Sequence, residues 1–214
     1  MSNYRLGQNK LTLELDAADK RHYDEKEAIE NKMFRKRDQL EKEMVQFEEE
    51  IKIIETYDDL FSYPSFIIPI KELNAKYEEL KERKNILENE ENILTGYKSA
   101  YESYFRIEKQ FEPHYLLWSS AESFINEKKI WKVSPASKLN IEEITKLKTN
   151  TQNTLRKLKG KFSTKQNQVL DGLYRQIKDL ESWMPIIENL CNPGLKNRHW
   201  DQIKTISGPD LDFK

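Results

Sequence analysis

The strongest constraint on the fold is a heptad pattern of apolar residues in a chain that is otherwise highly charged. Charged residues make up 34% of the 214 residues and hydrophobic residues 37%, which argues against a thick globular core. Spacings of 7, 4, 3, 4 and 3 separate a first set of apolar residues: Met33, Leu40, Met44, Phe47, Ile51 and Ile54. Such spacing buries one stripe of a helix against a neighbour. The sequence therefore predicts an all-α fold, an elongated bundle of long antiparallel helices with coiled-coil-like seams.

A second apolar seam begins at Ile70, and its period alone predicts one helix to about Glu112. Its tyrosines at 77, 97, 101 and 104 have helical spacing, which indicates core positions. Between the two seams, Pro64 and Pro69 predict an apolar interruption of the helices.

The C-terminal half predicts three more helices. Pro113 fits a first helical turn, so one helix should run from about residue 112 to 130. Asn140 should cap the next helix, because an acidic residue follows at the third position. The last long helix reaches Cys191, and Pro185 inside it should kink or restart it.

A helix stop followed by a helix start lies at residues 190–206. Pro193 and Gly194 should end the long helix near Cys191. Beyond them, Trp200 has helical spacing to Ile203 and Ile206, which predicts a shared buried face. 

His199 lies inside that segment, between Arg198 and Trp200. The other two histidines, His22 and His114, are distant in sequence, so a structural role is favoured over a metal or acid/base role.

The one charge anomaly is a basic stretch between Glu143 and Asp171, which contains no acidic residue. A solvated helix face and a contact to an acidic protein surface or polyanion are the two interpretations. Its seven cations are Lys146, Lys148, Arg156, Lys157, Lys159, Lys161 and Lys165.

Signatures of catalysis, metals and membranes are absent from the sequence. It has no glycine-rich phosphate loop, no Cys-x-x-Cys or His-x-x-x-His pair, and no apolar run near the roughly 20 residues of a membrane span. The net charge of -1 gives no drive toward nucleic acid. The expectation is a non-enzymatic protein without cofactor, metal, membrane or nucleic-acid partner. The single cysteine fits a reducing compartment.

Nine residues at 192–200, Asn-Pro-Gly-Leu-Lys-Asn-Arg-His-Trp, resemble the signature in the linker region of dynein heavy chains. Cys191 before them is closer to the axonemal branch. Residues 111–118 and 183–187 also resemble family helices, and Trp131 follows at the family's distance. The resemblance covers roughly residues 35–214. It implies the helical fold of the dynein linker, a piece of a longer heavy chain, and a role in the cytoplasm at the cytoskeleton or the ciliary axoneme. It also implies a break in the second-seam helix at Thr95-Gly96, where relatives have a loop with glycine and proline, although this sequence lacks the proline.

By this resemblance, the chain would be a non-catalytic element that transmits the ATP-driven movement of an AAA+ ring along microtubules. The expected regions are a mobile segment at 1–20, a long-helix region at 21–112 and a linker subdomain at 113–214. Expected partners are the rest of the heavy chain with its ring, dynein intermediate or light chains, or a second heavy chain. The alternative is a stand-alone coiled-coil scaffold. Residues of the expected joint and core are Asn192, Pro193, Gly194, Leu195, Arg198, His199 and Trp200, with Pro185, Trp118, Trp131 and Trp183.

Overall fold

The computed structural model describes residues 2–135, 138–162, 164–192 and 194–207, which form six α-helices and no strand. The prediction of an all-α fold is therefore confirmed. The first helix begins at Ser2, within the segment 1–20 that was expected to be mobile. The helices are α1 (Ser2–Ile54), α2 (Tyr63–Thr95), α3 (Glu102–Val133), α4 (Ile141–Leu158), α5 (Thr164–Leu190) and α6 (Asn197–Ser207).

Contacts divide the chain into two compact units. The first unit joins the chain up to Glu48 with Lys76–Ile107. The second unit joins Glu49–Ala75 with the chain from Glu108 onwards. Helices α1, α2 and α3 each contribute residues to both units.

The first unit buries the facing seams of α1, α2 and the start of α3. The rings of Tyr77 and Tyr104 lie nearly parallel, 5.9 Å apart, and their hydroxyl oxygens are 3.0 Å apart. Lys84 Nζ lies 4.9 Å from the centre of the Tyr104 ring, a cation-π geometry. The prediction that the tyrosines of the second seam belong to the core is confirmed for Tyr77, Tyr101 and Tyr104, and it is wrong for Tyr97, which is 79% exposed. Buried apolar residues here are Leu40, Met44, Phe47, Tyr77, Leu80, Leu87, Tyr101, Tyr104 and Ile107.

The connection between α2 and α3 is held by a buried carboxylate. Glu91, only 6% exposed, accepts hydrogen bonds from the Tyr101 hydroxyl at 3.2 Å and the Ser99 backbone N–H at 3.0 Å. Gly96 follows the last residue of α2 with φ +73°, a conformation that favours glycine. The predicted break at this glycine is confirmed, and the single helix to Glu112 is wrong.

The second unit is organised around Trp118, which is fully buried. Tyr57 and Phe66 stack on each other at 4.2 Å, and both meet the indole edge-to-face. Tyr57, in the connection between α1 and α2, and Phe66, in the first turn of α2, thus both pack against α3. The other buried apolar residues on α3, α4 and α5 are Phe111, Leu117, Ala121, Phe124, Ile125, Ile144, Leu155, Leu158, Val169, Leu170, Leu173, Ile177, Leu180 and Met184.

Two proline-based predictions of helix bounds are wrong. Helix α2 continues through Pro69, and α3 begins at Glu102 rather than at 112 and contains Pro113. At Pro185 the helix does not restart, since α5 continues through this residue, and the alternative of a kink stays a prediction. A proline inside a helix removes one hydrogen bond and costs roughly 3 kcal/mol. Buried apolar residues on both sides of Pro69 and Pro113 offset that cost, because tertiary packing overrides local propensity.

Helices α4 and α5 pack against each other. The Asn140 side chain accepts hydrogen bonds from the backbone N–H groups of Glu142 at 3.0 Å and Glu143 at 3.4 Å, so the predicted cap is confirmed. Gly160, with φ +83°, follows the end of α4 and allows the chain to turn toward α5.

Candidate functional site

The turn after α5 is closed by its own backbone and one asparagine. The Cys191 N–H donates to the Ile187 carbonyl at 2.9 Å and completes the last helical turn. The Asn192 side-chain oxygen then accepts from the Gly194 N–H at 2.8 Å, while the Asn192 carbonyl accepts from the Leu195 N–H at 3.0 Å. Asparagine commonly stabilises turns in this way. The helix stop predicted near Cys191 is confirmed. Pro193 lies outside the described residues.

Helix α6 begins with a reciprocal pair of hydrogen bonds between two residues. The Lys196 N–H donates to His199 Nδ1 at 3.1 Å, and the His199 N–H donates to the Lys196 carbonyl at 2.8 Å. In a capping box, the third helical residue reaches back to the N-cap N–H, usually through Glu or Gln. His199 is the third residue of α6, so its imidazole accepts the hydrogen bond from the N-cap N–H that Glu or Gln usually accepts.

Arg198 adds a contact to the same ring, since its Nε lies 3.2 Å from His199 Nε2. A neutral imidazole carries one proton and offers one acceptor nitrogen. When Nδ1 accepts from Lys196, the proton belongs on Nε2, and Nε2 cannot also accept from Arg198. The bond to Lys196 orders the helix start, whereas the Arg198 side chain is exposed. We therefore assign the Nε2–H tautomer.

The buried apolar face of α6 is shorter along the helix than predicted. Trp200 and Ile203 are half-buried, but Ile206 is 87% exposed. The prediction that Ile206 shares their buried face is wrong. One helical turn from Trp200 to Ile203 therefore makes the packed part of α6.

Pro185 lies one turn and a half before the end of α5, on an exposed position. The Asn189 side-chain amide donates to the Pro185 carbonyl at 2.8 Å. The Asn189 side chain thus bonds back to the backbone of its own helix, one turn earlier.

The tryptophans predicted for joint or core differ in burial. Trp118 is fully buried, Trp131 is half-buried and meets Phe124 edge-to-face at 6.4 Å, and Trp183 is 59% exposed. Trp131 and Trp183 line the same groove of about 500 Å³. Ile186 and Ile187 of this groove lie in the segment 183–187 that resembles a family helix, whereas Leu139 was not singled out from the sequence.

The basic stretch is almost entirely on the surface. Lys148 is half-buried and lies 3.6 Å from Glu181 on α5. The other six cations are exposed, and none of them forms an ion pair with a residue that the structure describes. They are Lys146, Arg156, Lys157, Lys159, Lys161 and Lys165.

A buried histidine of the second unit was not predicted from the sequence. Burial lowers the pKa of His114 to about 4, because charging the ring would require its desolvation. Its ring lies 5.1 Å from Phe162. Its Nδ1 and the Nε1 of Trp118, one turn further along α3, have no hydrogen-bond partner among the described residues.

Neither a metal centre nor a membrane segment is found in the part of the chain that the structure describes. No group of three or more His, Cys, Asp or Glu side chains there is arranged to hold a metal ion. No helix in that part combines the length and apolar character needed to cross a bilayer.

Comparisons with known proteins support the family resemblance of the segment at 192–200. The family model for the dynein heavy chain, N-terminal region 2, matches residues 104–214. Dynein axonemal heavy chain 3 of Homo sapiens is 28% identical over 196 residues, which cover 85% of this chain and 5% of the relative. Dynein axonemal heavy chain 1 of Mus musculus is 24% identical over 137 residues, 63% of this chain and 3% of the relative.

Dynein axonemal heavy chain 2 of Homo sapiens is 22% identical over 142 residues, 66% of this chain. The chain thus spans only 3 to 5% of the length of these relatives. No solved structure matches the chain. Since the family match covers more than half of the sequence, this chain belongs to the dynein heavy chain family and corresponds to part of its N-terminal region.

Proposed function

We propose that this chain is a non-catalytic mechanical segment of the tail-to-linker part of a dynein heavy chain. It would transmit the ATP-driven conformational change of an AAA+ ring during movement along microtubules. The observation that carries the proposal is the family match over residues 104–214, which includes the joint at 192–200. The ATPase chemistry would belong to the ring and not to this segment.

The helices supply the stiffness that such a role needs. Helix α5, with 27 residues, is about 40 Å long at 1.5 Å per residue. Its buried stripe from Val169 to Met184 packs within the second unit, which ties this length to its neighbours. A force applied at one end of α5 is therefore carried along a braced rod.

The turn between α5 and α6 is the element that we propose as a fixed joint. Asn192 holds the turn through Gly194, and His199 holds the start of α6 through Lys196. Arg198 and Trp200 would brace the same joint, and Pro185 would be a second joint. These two side-chain hydrogen bonds restrict the conformation of the turn, so α6 would move together with α5.

The relatives named above are axonemal dynein heavy chains, which supports the axonemal branch for the proposed motor. We infer a location in the cytoplasm at the cytoskeleton of a cilium. The partners would be the rest of the heavy chain with its AAA+ ring, dynein intermediate or light chains, or a second heavy chain.

The test is to separate ATP turnover from movement in a heavy chain that carries this segment. The joint variant Asn192→Ala with His199→Ala removes both side-chain hydrogen bonds. The control Arg175→Ala with Lys178→Ala changes two exposed positions of α5. We expect the joint variant to retain the ATPase rate within about twofold while microtubule gliding slows severalfold, and the control to change neither.

Equal loss of ATPase and gliding in the joint variant would contradict the proposal, because the joint would then act on folding of the whole motor. Unchanged gliding would contradict it as well, because the joint would then carry no load.

A further inference from the structure

We propose that the exposed cations Lys146, Arg156, Lys157, Lys159, Lys161 and Lys165, named here the basic surface, bind an acidic segment of a partner protein. This interaction is separate from force transmission through the joint.

The charge of the basic surface is not compensated within the described residues. Elsewhere, cations and carboxylates pair across helices, as for Lys36 with Glu90 at 2.7 Å and Lys71 with Glu122 at 2.7 Å. Within the basic stretch, only Lys148 has such a partner, at 3.6 Å. The sequence has no acidic residue from 144 to 170, so none is available locally. An acidic partner would provide the missing counter-charge.

Three of the cations lie on α4, two follow its end, and Lys165 lies in the first turn of α5. Lys146 and Lys157 are eleven residues apart, which places them on the same helix face about 16 Å from each other. The neutral Asn150 and Asn153 lie between them on that face. An extended peptide covers the same distance in about five residues. Alternate carboxylates of one short acidic segment could therefore reach both ends.

A favourable interaction with the helix dipole explains the positions of only some of these cations. Arg156 and Lys157 lie in the last turn of α4, where cations interact favourably with the helix dipole. Lys165 has the opposite placement, because it lies in the first turn of α5, which contains no acidic residue. Repulsion among the clustered cations adds to that cost. Lys165 thus gains nothing from the helix dipole, and an acidic ligand would offset this cost.

Nucleic acid and lipid surfaces fit the basic surface less well than an acidic protein segment. Binding of single strands uses exposed aromatic rings between cations, but Phe162, the aromatic residue nearest in sequence, is half-buried against His114. Interfacial helices insert apolar side chains between their cations. The apolar residues of α4 are turned inward, since Ile144, Leu155 and Leu158 are fully buried.

The test measures binding of a fluorescent ten-residue oligoglutamate peptide to the full chain by anisotropy. The reversal variant is Lys146→Glu, Lys157→Glu and Lys161→Glu. The matched control is Lys20→Glu, Arg35→Glu and Lys109→Glu, three exposed positions outside the basic surface with the same change in net charge. Circular dichroism checks that both variants stay helical.

We expect the peptide to bind, with affinity falling as salt rises from about 50 to 300 mM because the Debye length shortens. The reversal variant should lose at least tenfold in affinity, and the control should stay within about twofold. Equal weakening of both variants would overturn the proposal, because net charge alone would then explain binding. Absence of binding, or tighter binding of a single-stranded RNA or of phosphatidylserine vesicles at equal salt, would overturn it too.

Discussion

His199 holds the start of α6 through its Nδ1 atom, which accepts a hydrogen bond from the Lys196 backbone N–H at 3.1 Å. This contact places an imidazole where capping boxes usually have Glu or Gln. The signature segment therefore contains a helix start that depends on one side chain with one acceptor nitrogen.

Replacing His199 by Ala should destabilise the first turn of α6 by about 1 kcal/mol, because the Lys196 N–H loses its side-chain partner. His199→Gln should retain most of that stability, since its amide oxygen accepts in the same position. Hydrogen exchange at the Lys196 amide measures this, with about fivefold faster exchange expected in the Ala variant only. Equal exchange in the two variants would contradict the assigned cap.

The second unit should lose stability in acid because of His114. Its pKa falls from an ordinary value near 6.5 to about 4 on folding, so its contribution to stability is complete above about pH 6.5. That contribution is lost as the pH drops toward 4. Between pH 7 and pH 5 the free energy of unfolding should decrease by about 2 kcal/mol from this residue.

Urea unfolding followed by tryptophan fluorescence measures that decrease, since all four tryptophans belong to the second unit. His114→Leu should remove this part of the pH dependence. The exposed His22→Leu is the control and should leave it unchanged. A His114→Leu protein with the full original pH dependence would refute the assignment.

The two tryptophans Trp118 and Trp183 should differ strongly in their contribution to stability. Trp118 is 0% exposed, so Trp118→Ala should cost about 3 to 5 kcal/mol of unfolding free energy. Trp183 is 59% exposed, so Trp183→Ala should cost less than about 1 kcal/mol. Urea midpoints of the two variants, each followed by circular dichroism, give the comparison. Similar costs would show that the groove beside Trp183 is packed more tightly than its exposure indicates.

Glu91 should control the order of the connection between α2 and α3. Glu91→Ala leaves the buried Tyr101 hydroxyl and the Ser99 N–H without their acceptor, which should cost about 2 kcal/mol in the first unit. Glu91→Gln keeps one acceptor oxygen and should cost less. Exchange of the Ser99 amide reports this, and protection equal to that of the original chain in the Ala variant would contradict the role of Glu91.

The seams were predictable from sequence because burial follows the helical period closely. Leu40, Met44 and Phe47 are buried as their heptad spacing predicts. Helix bounds were less predictable. The sequence shows the hydrogen bond that the helix loses at Pro113, but it does not show the tertiary packing of Ile107 and Phe111 that offsets this loss.

Within the candidate site, the turn at Asn192 followed from turn-forming residue types. The cap formed by His199 did not, because histidine is not a usual residue at the third position. The groove beside Trp183 also escaped prediction, since its lining depends on how α3 and α5 meet.

We propose that this segment works inside a motor polypeptide. The most direct test is the size of the native polypeptide that contains it, obtained by separating cell extract by mass and mapping peptides of this sequence. We expect a far larger chain that also yields peptides of an ATPase ring with phosphate-binding loops. A product of only about 25.6 kDa without such peptides would contradict it and favour a stand-alone helical scaffold.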